Sequence, residues 1–286
     1  DLEKMIYQLD EPQADLAPLN AMYISELAKS QGIKVLFSGT GGDDIFTGYR
    51  RHYALQKERY WNWLPYHARK TLRKVSSMLP VENPQLRRVA KAFQYADYDK
   101  SPRLASYFYW IDPEISLNLF SQDFKSKFSV YAPERQLIES LNKLPANTSD
   151  LNKMLYLEQK HFLTDHNLNY TDKVSMANGV EVRVPLLDPD LIRHVLSLPD
   201  GFKQRGSTGK WIFKKAMEPY LPYNVIYRPK TGFGAPLRFW MKNDLKPLID
   251  DILSPSSIAK RGIFNHEAIL KIQKLDSEGK QDFSYP

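Results

Sequence analysis

Two adjacent carboxylates, Asp43 and Asp44, follow the glycine-rich turn Ser38-Gly39-Thr40-Gly41-Gly42. Glycine lets backbone N–H groups approach an anion closely, and a helix starting there adds partial positive charge. Such a turn suits a phosphate group, which the carboxylates would repel unless a divalent cation lay between them. Asp43 and Asp44 are therefore expected to act through Mg²⁺, a hard cation that takes oxygen ligands and substrate phosphates. A capped strand-to-helix turn that binds nothing is the other reading. Glycine spacing alone leaves both open.

Three more stretches carry charge where chemistry could use it. "NYTDKVSMANGVEVRVPLLD" (169–188) places Asp172, Lys173, Glu181, Arg183 and Asp188 among small and apolar residues. Charges interleaved this closely with apolar residues are costly to bury unless paired. Glu181 and Arg183 lie two apart and would point the same way from an extended segment, so a structural ion pair stands beside substrate contact. "GSTGKWIFKKAMEPYLP" (206–222) leads into a helix bearing Lys210, Lys214 and Lys215. A lysine at a helix start can neutralise developing phosphate charge, although most such lysines are simply solvated. "YRPKTGFGAPLRFW" (227–240) reads as an ordered loop presenting Arg228 and Lys230.

These groups need elements to hold them. "APLNAMYISELAKSQG" (17–32) predicts an amphipathic helix stopped by Gly32, with Met22, Ile24, Leu27 and Ala28 near helical spacing. "IKVLFS" (33–38) predicts a buried strand, and Asp43 or Asp44 should cap the helix after the glycine turn. Residues 50–148 read as mostly helical and aromatic-rich, and a helix is expected over 151–164 behind a Ser149/Asp150 cap. In "LLDPDLIRHVLSLPDG", Asp188 caps, Pro189 takes the first turn, and Ile192, Val195 and Leu196 form the buried stripe. One strand among many helices suggests an α/β domain whose sheet is only partly represented.

Composition removes several classes of function. The 286 residues contain no cysteine, which excludes disulfides, thiolate catalysis and cysteine-ligated metal, and fits a reducing cytoplasm. No apolar run approaches the ~18–20 residues of a membrane span. The six histidines show no metal-ligand spacing, and neither a nucleophile-elbow serine nor a dinucleotide glycine motif is present. The net charge of +7 is uneven: between Arg69 and Lys91 seven basic residues face only Glu82. A solvated helical face is the plainer reading of that stretch, and a nucleic-acid surface the sharper one.

In this order, the four stretches resemble the synthetase domain of the asparagine synthetase family. The family's phosphate-side motif is approximately S-G-E-G-x-D-E-x-F-x-G-Y. Ser38, Gly39, Gly41, Asp43, Phe46, Gly48 and Tyr49 match it, with Thr40 where the family has glutamate. Asp172, Lys173, Ser175, Met176, Ala177, Glu181, Arg183, Pro185, Leu187 and Asp188 match the second signature. Lys210, Phe213 and Lys214 match the third, and Arg228, Lys230, Gly232, Phe233 and Pro236 the last, so the resemblance spans about residues 1–245.

The resemblance implies a Rossmann-like, adenine nucleotide alpha hydrolase-like sheet in an α/β fold with a predominantly helical C-terminal portion. It also implies an ATP- and Mg²⁺-dependent ligase that adenylates a carboxylate and converts it to an amide with glutamine-derived ammonia. Under it, Ser38, Gly39, Thr40, Gly41 and Gly42 line the ATP phosphates, and Asp43 holds Mg²⁺ with pyrophosphate. Lys210 stabilises the departing pyrophosphate, while Asp172, Glu181 and Arg183 stand on the acceptor side. Thr40 lowers the negative charge of the centre by one and tilts the acceptor from aspartate toward another acid, such as a sugar acid.

The family's S-G-G-x-D-S loop and its glutaminase domain do not occur in these residues. The chain is accordingly expected to be a C-terminal fragment, inactive alone, whose partners are an N-terminal glutaminase domain and a small carboxylate. A homodimer is the expected assembly, in the cytoplasm, without nucleic acid or membrane. Its expected parts are residues 1–60 (sheet region), 61–148 (helical insertion), 149–245 (acceptor and pyrophosphate motifs) and 246–286 (tail). The rival is a non-catalytic interaction module that keeps the fold.

Overall fold

The computed structural model describes residues 1–80, 83–127, 132–229, 236–278 and 283. Helix dominates the described residues, and the sheets are small. The chain divides into two compact units, one of Asp1–Trp63 with Glu139–Ala235 and one of Leu64–Ile138 with Pro236–Pro286.

The first unit carries the motifs. Helix Ala17–Ser30 runs to Gly32, whose φ of +71° lets the chain turn out of the helix. It buries Leu19, Met22 and Ala28 and packs on helix Asn169–Met176, where Val174 is fully buried. Ile24 and Leu27, expected on the buried stripe, are 47% and 64% exposed. Strand β1 (Val35–Phe37) pairs in parallel with β2 (Glu181–Arg183), in the register Val35–Glu181, Leu36–Val182 and Phe37–Arg183. The expected buried strand is short and half-covered, and Phe37 is 75% exposed. Among the described residues β1 has only one neighbour, and parallel strands are normally covered on both faces. A second pair, β3 (Gln204–Arg205) and β4 (Thr208–Gly209), is antiparallel and turns through Gly206 at φ +58°.

The helix after the glycine turn, Gly42–Phe46, has Gly41 at its N-cap in the left-handed region, two or three residues before the expected caps Asp43 and Asp44. Asp43 and Asp44 therefore sit inside the first turn and cap nothing. Ile45 and Phe46 form a buried cluster with Val195 of helix Pro189–Ser197, and Phe46 stacks on Phe213 of helix Trp211–Met217 at 5.1 Å. Asp188 caps as expected, its Oδ1 accepting from Asp190 N at 2.9 Å and Leu191 N at 3.0 Å. Leu196 departs from its expected stripe and is 38% exposed.

Ser149 caps helix Asp150–Leu157. The helix expected to run on to 164 instead widens at Glu158 into a π-helix that continues to Leu168. Such segments often accompany functional sites. Along this one Arg51 meets both Glu158 and Phe162, and Phe162 and His166, four apart, stack at 5.0 Å.

The second unit contains helices Tyr66–Ser76, Pro84–Phe93, Lys100–Ser106 and Pro113–Asn118, together with Lys246–Ile252, Pro255–Arg261 and His266–Ser277. Within the basic stretch Arg69 serves the fold, donating to the carbonyls of Leu64, Ala96 and Tyr98 at 3.2, 2.8 and 2.9 Å. Arg73 pairs with Asp97 at 3.0 Å. Among the described residues no helix is long and apolar enough to cross a membrane.

Candidate functional site

Phe37, Arg183, Val184, Pro185, Leu187 and Asp188 line an open cleft at the carboxyl ends of β1 and β2, the edge where open α/β sheets take ligands. The glycine turn leaves β1 here. Ser38 N–H donates to the Arg183 carbonyl at 2.8 Å and so extends the strand pairing into the turn.

The three glycines of the turn differ in what they do. A Cβ on Gly41 would lie 2.2 Å from Leu187 Cδ2, and one on Gly42 would lie 2.9 Å from Leu186 Cδ1. Gly41 also has φ +90°, where a side chain is strained. These two are glycine because the Pro185–Leu187 turn packs on their backbone. A Cβ on Gly39 would meet nothing within 4 Å, so Gly39 presents its backbone to open space. Beside it, Ser38 Oγ and Thr40 Oγ1 lie 2.7 Å apart, and Thr40 N–H donates to Ser38 Oγ at 3.1 Å. The portion of the turn left for an anion is Ser38–Thr40.

Asp43 and Asp44 point into different surroundings. Asp43 Oδ1 lies 2.7 Å from Lys210 Nζ, and both side chains are about a quarter exposed, at 25% and 28%. Two groups far apart in sequence thus meet beside the turn. The Asp43 carboxylate fits into space that Gly48 leaves, since a Cβ there would overlap Asp43 Oδ1 at 1.4 Å.

Asp44 is 1% exposed and accepts from the Tyr49 hydroxyl at 3.2 Å, which in turn accepts from Asn167 Nδ2 at 3.2 Å. Burial first, then the Glu158 and Asp43 charges, raises its carboxyl to about 7. The expectation that both carboxylates serve a cation is corrected for Asp44, which is turned into the protein.

Behind Asp44 lies a cluster that no local pattern signalled. Glu158, fully buried, takes a bidentate pairing from Arg51, and His52 Nε2 lies 3.0 Å from Glu158 Oε1. His52 Nδ1 accepts the Tyr49 N–H at 3.3 Å, which fixes the tautomer with the proton on Nε2. Burial pushes the Glu158 carboxyl up, but the hydrogen bonds from Arg51 and His52 prevail and hold it below the usual range. Burial likewise lowers His52, against the pull of Glu158, and keeps it neutral. The Arg51 guanidinium lies over the rings of Tyr49 at 4.4 Å and Phe162 at 4.5 Å.

Lys210 arrives through strained backbone. Its φ is +56°, and Thr47, directly after the glycine-turn helix, has φ +66°. These are the positive-φ residues other than glycine among those described, and each costs about 1–2 kcal/mol. Thr47 is the second functional candidate that the sequence did not signal, because a β-branched residue argues against this conformation.

Glu181 and Arg183 project from β2 on one side and pair at 2.8 Å, more than half exposed, as their spacing allowed. The pair lowers the Glu181 carboxyl, and at this exposure contributes little to stability. Asp172 faces a different depression, with Glu11, Thr164, Asp165, Leu168 and Asn169. Its neighbour Lys173 pairs with Asp10, Lys215 pairs with Glu218 at 2.8 Å, and the Lys214 ammonium lies over the Tyr227 ring at 5.5 Å. Arg228 is exposed, while Lys230, Gly232 and Phe233 of the last motif lie outside the described residues.

Among the described residues no three His, Cys, Asp or Glu side chains gather to hold a metal. A single partly exposed carboxylate directly after the turn nonetheless suits Mg²⁺, which binds through one or two carboxylates plus substrate phosphates.

Comparison with known proteins agrees with these motifs. The family model described as asparagine synthase matches residues 1–286. The chain is 27% identical over 268 residues to asparagine synthetase [glutamine-hydrolyzing] 1 of Bacillus subtilis, covering 90% of this chain and 39% of that protein. It is 31% identical over 244 residues to a putative asparagine synthetase [glutamine-hydrolyzing] of Mycobacterium bovis, covering 84% and 35%. A more distant match, 23% identical over 288 residues, covers 93% of this chain and 41% of the amidase chyE of Penicillium rubens. The chain thus spans about two fifths of the length of these curated relatives, and no solved structure matches. With motifs in order and a family model covering every residue, the chain belongs to the asparagine synthase family.

Proposed function

We propose that these residues form the pyrophosphate side of an ATP-dependent amidoligase of asparagine-synthetase type, within a Rossmann-like nucleotide-binding domain of a longer cytoplasmic polypeptide. The substrate carboxylate attacks the α-phosphorus of ATP, the bond to the bridging oxygen of the β-phosphoryl group breaks, and pyrophosphate leaves. Ammonia, released from glutamine by an N-terminal glutaminase domain, then attacks the acyl carbon, and AMP departs as the amide forms and a proton is lost to solvent.

The observation that carries this reading is the Asp43–Lys210 pair, 2.7 Å apart, with Lys210 Nζ 3.9 Å from where a Cβ on Gly42 of the turn would lie. Lys210 presents positive charge where the leaving pyrophosphate gathers negative charge, and an interaction that strengthens as charge develops accelerates the step. Asp43 supplies the carboxylate oxygen for Mg²⁺, which when bound neutralises phosphate charge. Gly39 offers its backbone N–H, and Ser38 and Thr40 their hydroxyls, to the phosphates, while Gly41 and Gly42 let the turn close on Leu187 and Leu186. Arg183, on the wall of the cleft, is the acceptor-side candidate its position favours, with Glu181 as its partner.

Thr40 sets the acceptor. A neutral hydroxyl bonded to Ser38 leaves the site one negative charge short of the family pattern, which alters how the acceptor and the triphosphate share it and supports an acceptor other than aspartate. A pyrophosphate-release screen of the complete protein against aspartate and a panel of sugar acids tests the proposal. Release with a non-aspartate acid, abolished in Asp43→Asn, is expected. Ordinary turnover on aspartate would overturn the altered acceptor, and silence on every acid would favour a non-catalytic module.

A further inference from the structure

We propose that Thr47 is a positioning residue that fixes the Lys210 ammonium against Asp43, an inference that rests on the phosphate-side reading of that pair. Thr47 is 2% exposed and sits where the end of helix Gly42–Phe46 meets the strand leading to Lys210. Its Oγ1 proton is shared between the Phe46 carbonyl at 2.5 Å and the Lys203 carbonyl at 2.9 Å, and the oxygen accepts from Lys210 N–H at 3.4 Å. Lys210 N–H also donates to the Phe46 carbonyl at 2.7 Å. The joint is tight: a Cβ on Gly209 would lie 1.9 Å from the Thr47 carbonyl oxygen.

A closed loop results. Asp43 lies in the first turn of the helix, Phe46 and Thr47 end it, their polar atoms hold the Lys210 backbone, and Lys210 Nζ returns to Asp43 at 2.7 Å.

The backbone conformations point the same way. Thr47 at φ +66° and Lys210 at φ +56° both occupy the left-handed region. Glycine or asparagine would adopt it at lower cost, and a β-branched side chain is among the worst choices. Strained non-glycine residues persist where surrounding structure over-determines them, characteristically at functional sites. What threonine supplies here, and glycine cannot, is the hydroxyl that joins the carbonyls of Phe46 and Lys203 to the N–H of Lys210. Lysine in turn is the residue whose ammonium must reach Asp43. The two strained residues are coupled by one hydroxyl, and that hydroxyl sets where the ammonium starts.

A double-mutant cycle in the complete protein separates positioning from general damage. Thr47→Val keeps the branched shape and removes the hydroxyl. It should lower kcat for pyrophosphate release about tenfold, because small misplacements of reacting groups are costly, while KM for ATP stays within about twofold. Thr47→Ser should return kcat to the wild-type level. Thr47→Gly, which relieves the backbone strain, should be as slow as Thr47→Val. In the Lys210→Ala background, Thr47→Val should slow the reaction no further. Wild-type kcat in Thr47→Val or Thr47→Gly, or the same fractional loss in both backgrounds, would overturn the proposal. Wild-type kcat in Lys210→Ala alone would instead overturn the reading of Lys210 on which it rests.

Discussion

Asp43 and Asp44 are chemically identical neighbours with opposite surroundings, and the difference assigns them different tasks. Asp43 is a quarter exposed and faces a lysine, whereas Asp44 is buried against a tyrosine hydroxyl with its carboxyl raised to about 7. Asp43→Asn keeps the shape and removes the charge, so pyrophosphate formation in the complete protein should fall about a hundredfold or more with the denaturation midpoint little changed. Glu158→Gln should do the reverse. It leaves the Arg51 guanidinium without its buried counter-charge, which typically costs ~3–5 kcal/mol of stability. Denaturation curves and steady-state rates for both variants check the division. A stability loss in Asp43→Asn matching that in Glu158→Gln would show that Asp43 is structural.

At the scale of the element, the glycine turn is three separate constraints. Gly41→Ala would drive a methyl into Leu187 and hold a side chain at φ +90°, and should destabilise the fold by at least ~1–2 kcal/mol. Gly39→Ala meets nothing and should leave stability unchanged, yet raise KM for ATP by intruding on the space where phosphate backbone contacts are proposed. Equal behaviour of the two variants, in melting and in KM, would contradict this partition.

The same element shows what the sequence could convey. The turn and its position after a strand were legible, because local motifs encode local backbone; the family pattern named Asp43 and Lys210 separately, and their pairing comes from the structure. The pairing of Arg51 with Glu158, 107 residues apart, was not. Nothing near Arg51 in "GYRRH" distinguishes it from its neighbour, and only the tertiary fold selects one arginine. The π-helical stretch was equally hidden, since Glu158–Leu168 carries ordinary helix formers and its wide turn depends on what packs against it. Thr47 was missed for the opposite reason: its type argues for extended backbone, and the structure overrides that preference.

For the molecule as a whole, the net charge of +7 misleads if read as a surface property. Arg69 and Arg73 are committed to carbonyls and to Asp97 within the second unit. In the first unit Lys203 is fully buried, with its ammonium on Asn152 Oδ1 at 2.6 Å and on the Leu196 carbonyl at 3.4 Å. Burial lowers its pKa below 10.5. Between that lowered native value and 10.5 the unfolded chain binds more protons than the native one, so this group's contribution to stability rises with pH across that window. Relative to Lys203→Met, the wild type should therefore gain stability as pH rises toward 10.5 by chemical denaturation, whereas a pH-independent difference would mean that Lys203 is not perturbed.

The central claim is that the Asp43–Lys210 pair serves phosphate chemistry, and steady-state kinetics of Lys210→Ala in the complete protein test it most directly. The charge that Lys210 faces grows only as pyrophosphate leaves, and an interaction made in the transition state alone appears in kcat. A large fall in kcat with little change in KM for ATP is the predicted result. Unchanged constants, or a rise in KM with kcat intact, would contradict it.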